Sequence, residues 1–101
     1  MAGRWFATPH ALLRFAQHAL GWRSDRLPET VRERALALVA EESLAAHKTR
    51  DIAPCERHPR GAELWRGPKP RRLRYVVGEG DGPLPALVTV LPEYDARPRC
   101  R

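Results

Sequence analysis

The chain has 101 residues, 43% of them apolar, which suffices for one domain with one modest core and argues against wholesale disorder. No apolar run approaches the length of a membrane span, and the opening MAGRWFATPH lacks an apolar h-region, so a soluble cytoplasmic protein is expected. Lys and Arg total 18 against 12 Asp and Glu, a net charge of +6, and the whole excess falls within residues 57–74, where seven basic residues meet Glu63 alone. Such concentration favours an anionic partner, with nucleic acid the first candidate. Arginine outnumbers lysine sixteen to two, a bias that explains the choice of arginine but not its clustering.

Thr8 can cap a helix through its side-chain oxygen, and Pro9 fits the first helical position. Leu12, Phe15, Ala16 and Ala19, with Leu13 and Leu20 beside them, make an apolar stripe that Gly21 ends. His10, Arg14, Gln17 and His18 lie on the other side of this helix. After a connection over 22–27, Pro28 and Glu29 open a second helix, rich in alanine, leucine and glutamate. Val31, Ala35, Leu38 and Val39 supply its buried face, and it ends near His47 or Lys48. The stretch 49–61 holds Pro54, Pro59 and Gly61 and reads as an irregular crossing loop, long enough to suggest a functional role.

The period then becomes strand-like. Residues 62–66 form a short strand, GPKP (67–70) a turn, and RRLRYVV (71–77) a second strand with Leu73, Tyr75 and Val77 on one face and Arg72 and Arg74 on the other. GEGDGP (78–83) is a turn, and PALVTVLP (85–92) a third strand, apolar on both faces and so central in its sheet. The expected architecture is α+β: two N-terminal helices packed on a small antiparallel sheet of about three strands. A single domain spans 1–101, its core running from about residue 8 to 92 between short flexible tails. Cys55 and Cys100 do not make a disulfide-dense scaffold, and Cys55 with His58 is half of a zinc pattern without the other half, so no metal and no cofactor is expected.

Cleavage of RNA without a metal needs a base for the 2′-hydroxyl, an acid for the leaving oxygen, and cations around the phosphorane. Histidine can serve either proton transfer, and arginine presents a planar fork to phosphate. His10 and Arg14 on the first helix, facing Arg66, Arg72 and Arg74 on the sheet, would make such a site. Lys69 and Arg71 would extend its charge, and Trp65 would offer a base a stacking surface. Each residue also has a plainer reading. His10 and Arg14 suit a wet helix face, Arg72 and Arg74 the exposed side of a strand, Trp65 a core ring, and Thr89 an ordinary strand threonine.

The motifs T-x-H-A-L-x-R-F, W-R-G, R-R-L-R-Y-V-V and L-V-T-V-L, spread from Thr8 to Pro92, resemble those of small RelE/ParE-like toxins, within the barnase–EndoU–colicin–RelE group of metal-independent ribonucleases. The resemblance implies a toxin-type ribonuclease in which His10 transfers protons beside Arg14, Arg72 and Arg74 hold phosphate, and Thr89 bonds phosphate or positions the base. It departs from the family pattern at Gln17-His18, where an E-R pair is common. RNA would then be the substrate, and an acidic antitoxin or immunity protein a partner. A different class of function also fits: a non-catalytic, phage-type protein that docks on a host RNA polymerase or ribosome, without a membrane. Passive RNA or DNA binding is a third reading. The ribonuclease reading expects RNA to be cut in EDTA, leaving cyclic phosphate ends. Equal cleavage rates for wild type, His10→Ala and Arg74→Ala contradict it.

Overall fold

The computed structural model describes residues 4–54 and 62–92. The expected tail from 93 onward, the 55–61 part of the crossing loop and both cysteines lie outside the described residues. In chain order the elements are β1 (Phe6–Ala7), α1 (Pro9–Ala19), α2 (Glu29–Thr49), β2 (Ile52–Pro54), β3 (Glu63–Arg66), β4 (Arg74–Gly78) and β5 (Ala86–Leu91). The α+β class and both helices stand as expected. The sheet has five strands rather than about three, in the order β1-β5-β4-β3-β2, and it is mixed because β1 runs parallel to β5.

The start of α1 is built by one side chain. The Thr8 hydroxyl oxygen accepts from the Ala11 amide at 3.2 Å and donates to the Leu87 carbonyl at 2.9 Å. One residue thus caps the helix and fastens it to β5, which also explains why β1 enters the sheet immediately before it. The second helix begins after Pro28, which has no side-chain cap, and closes on Arg50 in the left-handed region (φ 51), whose amide donates to Ala46 O at 2.8 Å. It ends slightly beyond the expected His47 or Lys48.

Both helices cover one face of the sheet. Ala11, Leu12 and Phe15 of α1 and Ala35, Val39 and Ala46 of α2 join Trp5, Trp65, Leu73, Tyr75, Val77, Leu87 and Val90 in one core. Trp5, Tyr75 and Phe15 are its largest wholly buried side chains. Trp5 packs edge-on to Trp65 at 5.5 Å and tilted against Tyr75 at 5.3 Å, with His47 4.5 Å from Trp65. The opposite face of the sheet carries a smaller cluster of Ala62, Leu64 and Val76, with Val88 and Leu91 against it.

Two departures from simple alternation set which residues reach which face. The strand expected from Arg71 starts only at Arg74, because Arg71 to Leu73 belong to a longer turn in which Arg72 takes a left-handed conformation (φ 52). The register between β4 and β5 shifts after Val76, which pairs with Thr89 while Val77 pairs with Leu87. Val88 is therefore the extra residue of a bulge, and Val88 and Thr89 both fall on the face away from the helices.

Candidate nucleic-acid interface

The residues expected to surround one phosphate divide between opposite sides of the molecule. Along α1 the buried positions are Ala11, Leu12, Phe15 and Ala16, so His10, Arg14 and Gln17 occupy the outward side of the helix. His10 is exposed, and Arg14 donates to Gln17 Oε1 at 3.0 Å. Arg66 and Arg74 sit directly across from each other on β3 and β4, in step with Leu64 and Val76 rather than with Trp65 and Tyr75. They consequently leave the sheet on its helix-distal face. Thr89, paired with Val76, shares that face and is 9% exposed. No single cleft holds His10, Arg14 and this arginine pair, because the helix layer and the sheet lie between them.

Trp65 does not offer a stacking platform. It is 5% exposed, packed among Trp5 and His47, and its Nε1 donates to Glu63 Oε1 at 3.1 Å. The Arg50 guanidinium lies over its ring at 5.6 Å, adding a cation–π contact.

Arg71 turns inward. Its Nη1 meets Glu42 Oε2 at 3.2 Å, and its guanidinium lies over the Phe15 ring at 5.9 Å from the centroid. Glu42 is only 5% exposed, on the same face of α2 as Ala35 and Val39. Its other oxygen accepts a short hydrogen bond from the Tyr75 hydroxyl. Burial first, and then the neighbouring Glu42 charge, raise the Tyr75 pKa far above the ordinary phenol range. Gly67 completes this packing: a Cβ there would stand 2.6 Å from the Tyr75 ring and 3.1 Å from Glu42 Oε1. The turn from 67 to 73 is thus clamped onto the helix pair by a buried carboxylate that the basic count of the sequence did not reveal. A signal was present, since Glu42 stands three residues after Val39 and seven after Ala35 on an otherwise apolar stripe.

With Arg71 held by Glu42, the remaining cations at this end of the sheet are Arg66 and Arg74 on the helix-distal face and Lys69 and Arg72 on the turn. Lys69 and Arg72 are exposed on the turn. Arg66 Nε pairs with Asp51 Oδ2 at 3.1 Å, both side chains being 56% exposed, and Arg74 donates to the Arg72 carbonyl at 3.3 Å. Like charges directly across a strand pair repel, and an anion lying between them relieves that cost. The group can therefore grip phosphate, with the Asp51 carboxylate beside Arg66. Among the described residues no group of three or more His, Cys, Asp and Glu side chains could hold a metal ion, and no helix is long and apolar enough to cross a membrane. No protein-family model matches the chain, nor does any curated protein or solved structure.

The Glu42 clamp has a measurable consequence. Tyr75→Phe removes the donor to a buried carboxylate oxygen and should cost about 1–3 kcal/mol in urea unfolding at neutral pH. The folded phenol has its pKa raised above its ordinary value of 10.0. Its contribution is therefore complete below that pH and is lost as pH climbs above it, because the unfolded phenol ionises first. Wild-type stability should fall more steeply above pH 10 than that of Tyr75→Phe; parallel profiles contradict the buried geometry.

Proposed function

We propose that the protein binds the phosphate backbone of nucleic acid, RNA first, through the helix-distal face of its sheet, at the end that carries the β3–β4 turn. The observation that carries this reading is the cross-strand pair Arg66 and Arg74, standing on one face beside the exposed Lys69 and Arg72 of the adjoining turn. Arginine forks suit phosphate oxygens, and partners on adjacent strands can reach the same or neighbouring phosphates. Thr89 lies on the same face but is buried there. The recognition would follow charge and shape rather than base identity, because the aromatic residues adjoining the arginine pair, Trp65 and Tyr75, are buried in the core.

Cleavage is not part of this proposal. The ribonuclease reading rests on the likeness to RelE/ParE-like toxins and requires His10 and Arg14 to act on the phosphate held by Arg72 and Arg74. They leave from the outward side of α1 instead, and any RNA reaching both groups would have to wrap around the domain edge. An acidic antitoxin or immunity partner belongs to that same reading, and is proposed only together with it.

Fluorescence anisotropy with a labelled single-stranded RNA tests the binding. Arg66→Ala and Arg74→Ala should each weaken affinity, and each lost phosphate contact should reduce the slope of log affinity against log salt by about 0.7–1. Arg71→Ala should lower stability instead, through Glu42. Unchanged affinity and salt slope in the Arg66 and Arg74 variants would rule the patch out.

A further inference from the structure

The helix-distal face has a second feature at its opposite end. A groove of about 500 Å³ lies between β1, the start of β5 and the loop from 79 to 85. Its apolar walls are Phe6, Leu84, Ala86 and Val88, and its charged residues are Glu79 and Asp81. Phe6 is 52% exposed, one of the two large hydrophobic side chains left open on the described surface. A second hollow of about 400 Å³ beside the same loop is lined by Val77 and Glu63, on the helix side of the sheet. Neither lining contains a lysine, arginine or histidine, in a chain whose net charge is +6. An occupant should therefore be cationic and partly apolar.

The chain itself carries such a segment. The turn Gly67-Pro68-Lys69-Pro70-Arg71-Arg72 projects Lys69, Pro70 and Arg72 into solvent. It precedes Arg74, at the start of β4, whereas the groove loop follows Gly78, at the end of that strand. The two features are thus separated by the length of β4, on the order of 13 Å or more at the usual rise per residue, and one molecule cannot fill its own groove.

We propose that the groove accepts the cationic β3–β4 turn of a second copy of this chain, head to tail. Proline and the aliphatic stem of Lys69 lie against Phe6 and Leu84, while the Lys69 and Arg72 charges meet Glu79 and Asp81. Because the two surfaces are different and lie at opposite ends of the sheet, each added copy leaves a free turn and a free groove. Association therefore grows as an open chain or closes as a ring, rather than stopping at a two-fold dimer. It does not require the nucleic-acid reading, although both use Lys69 and Arg72, so bound RNA competes with it.

Sedimentation equilibrium of the full chain tests this, with circular dichroism to confirm that each variant is folded. At low salt the average mass should rise with concentration beyond that of a dimer, and high salt should return it to the monomer. Glu79→Lys with Asp81→Lys should be monomeric, as should Lys69→Glu with Arg72→Asp, where aspartate tolerates the left-handed backbone. Phe6→Ser, at a side chain already half-exposed, should weaken association without disturbing the core. An equimolar mixture of the two charge-reversed proteins should associate again, since each turn then meets a groove of opposite sign. The groove variants leave Arg66 and Arg74 in place and should still bind RNA, so loss of association is distinguishable from failure of the phosphate patch. A wild-type chain that stays monomeric at both salts overturns the proposal and leaves the groove to a foreign cationic segment. A mixture that stays monomeric, or groove variants that associate like wild type, overturns it as well.

Discussion

Glu42 enters the interior on the apolar side of α2, where a carboxylate is costly unless both oxygens are met. Tyr75 meets one and Arg71 the other, and the absence of a Cβ at Gly67 lets the turn approach closely enough for both contacts. This arrangement fixes the β3–β4 turn against the helices. It also decides where the turn's charge goes. Arg71, its side chain one-third exposed, is held by Glu42, and the register that puts Tyr75 in the core sends Arg74 and its partner Arg66 to the opposite face. Breaking the clamp would release the 67–73 turn from the helices, at a cost in stability.

The sheet consequently has two faces with separate duties. One is occupied by α1, α2 and the Trp5–Trp65–Tyr75 cluster, which supplies the core. The other is divided along its length, with arginines around the 67–73 turn and acidic residues beside an apolar groove at the 79–85 loop. A net charge alone would suggest a uniformly basic surface. The separation instead gives the molecule a positive end and a negative end, which suits an anionic polymer at one and a cationic segment at the other.

Much of the framework was legible in the residues. Thr8 and Pro9 mark the first helix, Pro28 and Glu29 the second, and the apolar run ALVTVL a strand that is indeed paired on both sides. The strand β1 was not legible, since two residues carry no period and their partner lies about eighty positions away in the chain. β2, only three residues long, was hidden in what reads as a proline-containing loop. The two halves of the candidate site lie apart for a more instructive reason. His10 and Arg14 do share a face, as their spacing requires, but the stripe of Leu12, Phe15 and Ala16 already commits the other side of the helix to the sheet. Their side could only point outward. At the hairpin, the alternating pattern placed Arg74 correctly, while the left-handed Arg72 there and the bulge at Val88 in β5 break the alternation in ways that composition does not announce.

The central claim is that anionic ligand is held on the helix-distal arginines and not at the front helix. Nitrogen–proton correlation spectra of labelled protein, recorded during titration with a short single-stranded RNA, test it most directly. The amides of Arg66, Lys69, Arg72, Arg74 and Thr89 should move together while those of His10 and Arg14 stay in place. Shifts centred on His10 and Arg14, with the hairpin signals unmoved, would contradict it.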